Sequence, residues 1–425
     1  MKIESYWLAT TPRFASASSS ALEGRADVAV IGGGFTGLSA ALALARKGAS
    51  VTVLEAERVA AAASGRNGGH CNSGLSHDFA DMVERRGLET ASAFYRAFDA
   101  AVDTVERIVA TESLDCGFWR SGKIKLAAKP AHYEGLARSF ELLQRTVDPD
   151  TVLVPAERLA AEIGSTAFHG GLLQKRSAMM HMGRFGAGLA EAAARHGARI
   201  FEQAPVTTLK RRGDKGYDIV TPRGNLRANQ VLVATGAYTR GPFGYFLRRI
   251  VPVGSFIVAT EPLAPSVLES IMPTRRTATT TRIIGNYFRI SPDNRLIFGG
   301  RARFALSNPQ SDTKGGEILQ ATMRQVFPQL KDTRIDYCWG GLIDMTPDRL
   351  PRAGEKDGLY YAMGYSGHGV QMSVHMGQVM AEVMSGHPER NPWRTLPWPA
   401  VPGHFGTPWF LPLVGVYYRI KDKLH

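Results

Sequence analysis

One stretch restricts the fold of this chain more than any other: DVAVIGGGFTGLSAALALARKGASVTVLEAE, residues 27–57. A short apolar run, Val28 to Ile31, ends in glycines. A helical pattern follows, and then a second β-rich run, Val51 to Leu54. Strand, glycine turn, helix and strand make a βαβ unit of about 30 residues. Within it Gly32-x-Gly34-x-x-Gly37 gives each glycine a task. Gly32 permits the tight turn, Gly34 lets backbone approach a pyrophosphate, and Gly37 allows close helix–strand contact. The helix opened by Phe35 and Thr36 offers unpaired N–H groups to phosphate oxygens. Glu55, at the end of the second strand, is placed to accept hydrogen bonds from an adenosine ribose. An acid there fits NAD or FAD and disfavours a 2′-phosphate. No second GxGxxG follows a strand, so either the nucleotide is NAD, or it is FAD and the substrate supplies the electrons.

The stretch AAAASGRNGGH, residues 60–70, decides between them. It begins too far beyond Glu55 to serve the ribose. Gly65, Gly68 and Gly69 would let backbone lie against a flat ring system, while Ser64, Arg66 and Asn67 can hydrogen-bond phosphate or ring edges. That arrangement points to FAD.

A chain of 425 residues has room for two or three domains. Strand-like and helix-like textures interleave, so two domains built from separated segments are expected. A nucleotide-binding domain takes residues 1–116, 181–250 and 335–390. A substrate domain takes 117–180 and 251–334, and 391–425 form a C-terminal tail. Residues 78–110 read as one long amphipathic helix, and 251–334 as β-rich. The net charge of +13 is spread over short groups such as KRRGDK and PTRRTATTTR. No nucleic-acid-binding signature accompanies it. No run of about 18 apolar residues occurs, and the N-terminus has no apolar h-region. Three cysteines outside any CxxC spacing give no metal site and fit a reducing cytoplasm.

The motifs DVAVIGGGFTGLSAAL, SGRNGGH, VLVATGAYT, VATEPL, DMTPDRLP and GYSGHG occur in that order over residues 27–386. Together they resemble the FAD-dependent D-amino-acid-oxidase family, within it the γ-glutamylputrescine oxidase-like group, and the tail is similar too. The resemblance implies an α/β fold: a Rossmann-type FAD-binding domain with an interleaved antiparallel-sheet substrate domain. It implies that Ala234, Thr235 and Gly236 back the FAD pyrophosphate and that Val206 flanks the adenine. Gly364, Gly367, His368, Gly369 and Val370 lead into the last long helix, whose N-terminus can stabilise negative charge on a reduced flavin.

Two departures bear on chemistry. Sarcosine oxidases of this family carry a flavin-bearing cysteine where this chain has Gly341, and Cys338 is three residues off, so non-covalent FAD is expected. Those enzymes also hold substrate carboxylate with a lysine where this chain has Gln371. His70, Trp339, Tyr365, His368 and Gln371 are the candidate pocket residues. Asp344 is a candidate for a substrate ammonium or a turn, Glu261 reads as structural, and Cys71 as a buried thiol. The implied activity is oxidation of an amine C–N bond to an imine, which water hydrolyses to an aldehyde and an amine or ammonia. The favoured substrate is γ-glutamylputrescine or a related polyamine derivative, with oxygen or a quinone as acceptor. The alternatives are an oxidase or dehydrogenase of a cyclic or N-alkyl amino acid, and a non-catalytic FAD-binding assembly or tRNA-modification factor. The tail's apolar residues and its basic Arg419, Lys421 and Lys423 make it a candidate for weak membrane-surface contact, or for packing on the protein itself or a second subunit.

Overall fold

A computed structural model describes residues 1–213, 216–300 and 304–424. Asp214 and Lys215 of the KRRGDK group lie outside the described residues, as do 301–303 at the end of the expected strand RLIFGGRAR. The side chains of Arg419 and Lys423 lie outside them too.

Two large sheets organise the chain. The first centres on parallel strands Arg199–Phe201, Val51–Leu54, Arg25–Ile31 and Gly224–Val233. Leu359–Met363 adds a further parallel strand alongside Gly224–Val233. Central strands covered on both faces read as apolar runs, and Val28 to Ile31 is buried at every position. The helix Phe35–Arg46 is buried from Phe35 to Ala45. Its small side chains permit this: a Cβ on Gly377 of the helix Gly369–Met384 would stand 2.7 Å from Ser39 Cβ.

The second sheet has nine strands, in the order Lys2–Ile3, Ile335–Met345, Val251–Thr260, Leu296–Gly300, Asn286–Ile290, Thr277–Thr280, Lys123–Leu126, Gly171–Gln174 and Val152–Val154. Most neighbours are antiparallel. The boundary expected at residue 335 therefore falls too early. Ile335–Met345 pairs with Val251–Thr260 along its length, and the chain returns to the first sheet only at Arg352–Lys356 and Leu359–Met363.

Two other expectations are corrected. Residues 78–110 form two helices, Phe79–Arg86 and Leu88–Thr111, parted at Gly87 with φ +79°. The segment read as β-rich also contains the helix Pro309–Val326. Asn308 caps it by accepting Ser311 N at 2.9 Å, and proline stands in its first turn. Gly315 and Gly316 obscured it because glycine disfavours helix. Here they bring the helix against the sheet, where added Cβ atoms would sit 2.7 Å from Phe256 Cγ and 2.5 Å from Cys338 Sγ. Among the described residues no helix is long and apolar enough to cross a membrane.

Candidate active site

The strand ends of the first sheet, the 60–70 stretch and one face of the second sheet enclose a cavity of about 1360 Å³. Pockets for one ligand usually measure about 300–1,000 Å³, so this space suits a dinucleotide and a substrate together. At one end stand Gly32, Gly34, Phe35, Thr36, Glu55 and Ser64. Glu55 Oε2 accepts Gly33 N at 2.6 Å and Oε1 accepts Glu57 N at 2.8 Å. Burial raises its pKa, and those backbone donors hold it back. A carboxylate has about four lone-pair sites, so capacity remains for a ribose hydroxyl. Ser64 Oγ accepts Phe35 N at 3.0 Å, taking the place at the helix N-terminus that a phosphate oxygen would use. Val206, Ala234, Thr235 and Gly236 line the same end. These groups fit FAD: a glycine cradle, an anion-accepting helix end and a ribose acceptor, opening on a longer space.

Gly37 does not line the cavity. A Cβ there would strike Gly32 O, so its task is packing. The 60–70 stretch divides likewise, which corrects the reading of its three glycines. Gly68 lines the cavity beside Arg66, Asn67 and His70. Gly65 faces inward, where a Cβ would meet Ala60 O and Leu8 Cδ2. Gly69, at φ +78°, gives room to Arg289, whose Nη1 donates to Gly69 O at 2.7 Å and Met180 O at 2.8 Å. Gly364, at φ +82°, turns the chain against Thr346 and also lies off the cavity wall.

At the other end Gly367, His368, Gly369 and Val370 line the wall at the start of the last long helix. His368 Nδ1 is buried with no partner among the described residues. Burial, with Lys123, His77 and Lys125 nearby, lowers its pKa to about 3, so the ring is neutral. Tyr365 lines the cavity, its hydroxyl 2.8 Å from Thr36 Oγ1. His70 also lines it, with Nδ1 3.0 Å from Gly68 O and Nε2 3.3 Å from Phe288 O. Trp339 does not: it is wholly buried and donates to Arg66 O at 3.0 Å, positioning the loop from behind. Gln371 is likewise off the wall, its Nε2 donating to Asn72 O at 2.6 Å and its Oε1 without a partner. Asp344 accepts Gly364 N at 2.6 Å and Tyr365 N at 3.2 Å, and so organises the turn before the helix. Burial lifts its pKa to about 6. Glu261 accepts Arg334 N at 3.1 Å, a structural contact. Cys71 is buried, which pushes its thiol pKa up.

Sequence reasoning missed Lys123. Lys123 and Lys125 lie two apart on the strand Lys123–Leu126, so both face the cavity. Lys125 pairs with Asp78 at 2.6 Å. Lys123 is 5% exposed and its Nζ donates to Ser73 O at 2.9 Å, with no carboxylate at ion-pair distance among the described residues. Burial, reinforced by Lys125 and opposed by Asp99 and Asp148, draws its pKa down to about 7. The available signal was KIK, two lysines at strand spacing between apolar neighbours. Behind it Gln174 Nε2 donates to Tyr95 Oη at 2.6 Å, and Tyr95 Oη donates to Asp148 Oδ2 at 2.8 Å.

Gly341 stands on the cavity wall, whereas Cys338 is buried with its thiol donating to Asp312 O at 3.2 Å. Flavin is accordingly expected to leave the protein on acid precipitation. Yellow colour retained by the washed, denatured chain would contradict this.

Residues 27–383 match the family described as FAD dependent oxidoreductase (DAO). A probable oxidoreductase OrdL of Haemophilus influenzae is 33% identical, over 94% of this chain and 92% of its own. The gamma-glutamylputrescine oxidoreductase of Escherichia coli is 30% identical, over 99% of this chain and 98% of its own. Among solved structures, glycine oxidase from Geobacillus kaustophilus superposes with a TM-score of 0.71 at 21% identity, covering 90% of this chain and 99% of that one. L-Proline dehydrogenase from P. horikoshii superposes with a TM-score of 0.70 at 19% identity, covering 88% and 98%. With a dinucleotide cradle at one end of its cavity and a family match over most of its length, the chain belongs to the DAO family of FAD-dependent oxidoreductases.

Proposed function

We propose that this oxidoreductase acts on γ-glutamylputrescine or a closely related acylated diamine, breaking the C–H bond beside the terminal nitrogen to leave an imine that water hydrolyses. The near end-to-end similarity to the Escherichia coli enzyme carries the reading, and a cavity with room beyond the dinucleotide supports it. Bound FAD supplies the ring that accepts the electrons. The chain itself selects the protonation state. Lys123, Lys125, His77 and Arg349 line the same cavity as His368, and each contributes to lowering its pKa. The cationic Lys125 and Arg349 on that wall disfavour a bound ammonium and favour the neutral amine. Lys123 Nζ, close to half deprotonated near neutrality, takes the proton from the substrate nitrogen. Tyr365 and His368 shape the wall against which the substrate chain rests.

The test is anaerobic mixing of the yellow holoenzyme with single amines. γ-Glutamylputrescine is expected to bleach the flavin, and sarcosine to leave it yellow. Bleaching by sarcosine or proline alone would transfer the assignment to an amino-acid oxidase or dehydrogenase.

A further inference from the structure

The tail ends in the helix Leu411–Leu424, and its place in the structure is specific. The Asp422 carboxylate accepts the backbone N–H groups of Ile283 and Ile284, at 2.9 and 2.8 Å. Lys129 Nζ donates to Asp422 O at 2.7 Å. Tyr418 stacks on Phe304, with centroids 5.8 Å apart. These contacts lay the helix across the loop after Thr277–Thr280, and there Tyr418 and Lys421 join Arg282 in lining the main cavity. Neither Lys421 nor Arg282 has a carboxylate within 4.0 Å among the described residues, although Asp422 lies next to one of them in sequence. That acid is spent on the loop backbone, so among the described residues neither cation at the edge of the cavity has a carboxylate partner.

The family match ends at residue 383, well before the helix. The superposition on glycine oxidase covers 90% of this chain and nearly all of the other. The similarity to gamma-glutamylputrescine oxidoreductase covers 99% of the chain and so reaches into the helix. A helix on the cavity edge, in a chain similar almost end to end to an enzyme named for a long substrate, is placed to read the far end of such a substrate.

We propose that the C-terminal helix and the 281–285 loop form a distal anion subsite, in which Lys421 and Arg282 receive the carboxylate of a long amine substrate while Tyr418 borders its chain. This rests on the reading of the substrate as an acylated diamine, and it excludes free diamines as good substrates because they bring no anion to the two cations. Charged hydrogen bonds of this kind are stronger than neutral ones, and solvent at the cavity edge weakens them. At a partly open edge, about tenfold in affinity is the expected scale.

The experiment compares full-length holoenzyme with the double variant Lys421→Met/Arg282→Met. Steady-state rates on γ-glutamylputrescine and putrescine should show the preference for the acylated amine falling about tenfold, through KM more than kcat. Calorimetric titration with glutarate, a carboxylate that cannot be oxidised as an amine, gives a readout independent of turnover. Glutarate should bind the parent enzyme and bind the variant about tenfold more weakly. If the parent ignores glutarate, or both proteins bind it equally, the subsite is wrong. If glutarate binding behaves as expected but γ-glutamylputrescine leaves the flavin yellow, the subsite stands and the choice of amine falls. A variant that melts with the parent yet shows an unchanged substrate preference would also overturn the proposal.

Discussion

Gly34→Val is expected to yield a folded, colourless protein, and Gly37→Val, three residues further on, to yield little folded protein. The two glycines belong to one motif but meet different surroundings. Gly34 precedes the helix at φ −82° and ψ −176°, a backbone that any residue adopts. A Cβ added there meets only Ser64 Oγ, at 3.0 Å, and otherwise points into the cavity. Valine therefore costs the apoprotein little while occupying the space a pyrophosphate needs. At Gly37 a Cβ strikes the carbonyl of Gly32 and comes within 3.0 Å of Val30 Cγ1. Backbone cannot rotate away as a side chain can, so the strand and helix must separate. Overpacking of a core commonly costs about 1–3 kcal/mol, and a clash with backbone belongs at or above the top of that range. Visible absorbance and circular-dichroism melting of the two purified variants check this. A yellow Gly34→Val protein would mean that the cofactor's phosphates lie elsewhere, and a Gly37→Val protein melting with the parent would dissolve the packing argument.

The contrast also shows what sequence can express about such a site. The βαβ unit was legible because each of its signals is local: apolar runs of strand length, glycines at the turn, an acid at the end of the second strand. Gly65 and Gly69 were legible as glycines that something must approach, but not as to what. Leu8 and the guanidinium of Arg289, far away in the chain, turned out to fill that space. The helix Pro309–Val326 was hidden for a related reason. Its two central glycines lower intrinsic helix propensity, and the tertiary contact with Phe256 and Cys338 that favours them has no local signature. Trp339 reads in the sequence as core packing or as part of an aromatic box, and Gln371 as the counterpart of the family's lysine; both side chains turn behind the wall to hold the loop at residues 66–72. Lys123 was missed because the fold, not nearness in the chain, brings it to the cavity that His368 lines.

Lys123→Met is expected to stabilise the protein at neutral pH and to slow it. The ammonium is desolvated with a single backbone carbonyl as partner, and its pKa falls from the ordinary 10.5 to about 7. Between those values the unfolded chain binds a proton that the folded chain does not, so the wild-type protein gains stability as pH rises from about 7 to 10.5. Below about pH 7 the deficit is complete, on the order of 4–5 kcal/mol at about 1.36 kcal/mol per pH unit. Methionine is of similar length and carries no charge to desolvate, so the variant should melt several degrees higher at pH 6–7 and lose the alkaline rise. Among the described residues no carboxylate stands at ion-pair distance from this costly side chain on the cavity wall, although Asp99 and Asp148 partly oppose the shift. If Lys123 Nζ accepts the substrate's proton, removing it should cost roughly 10²–10⁴-fold in turnover. The acid limb of kcat/KM near pH 7 should flatten at the same time. Melting curves across pH and rates across pH, measured on the same two proteins, separate the possibilities. Higher stability with unchanged rates would reduce Lys123 to a buried strand residue, whereas higher stability with a lost acid limb would identify it as the base.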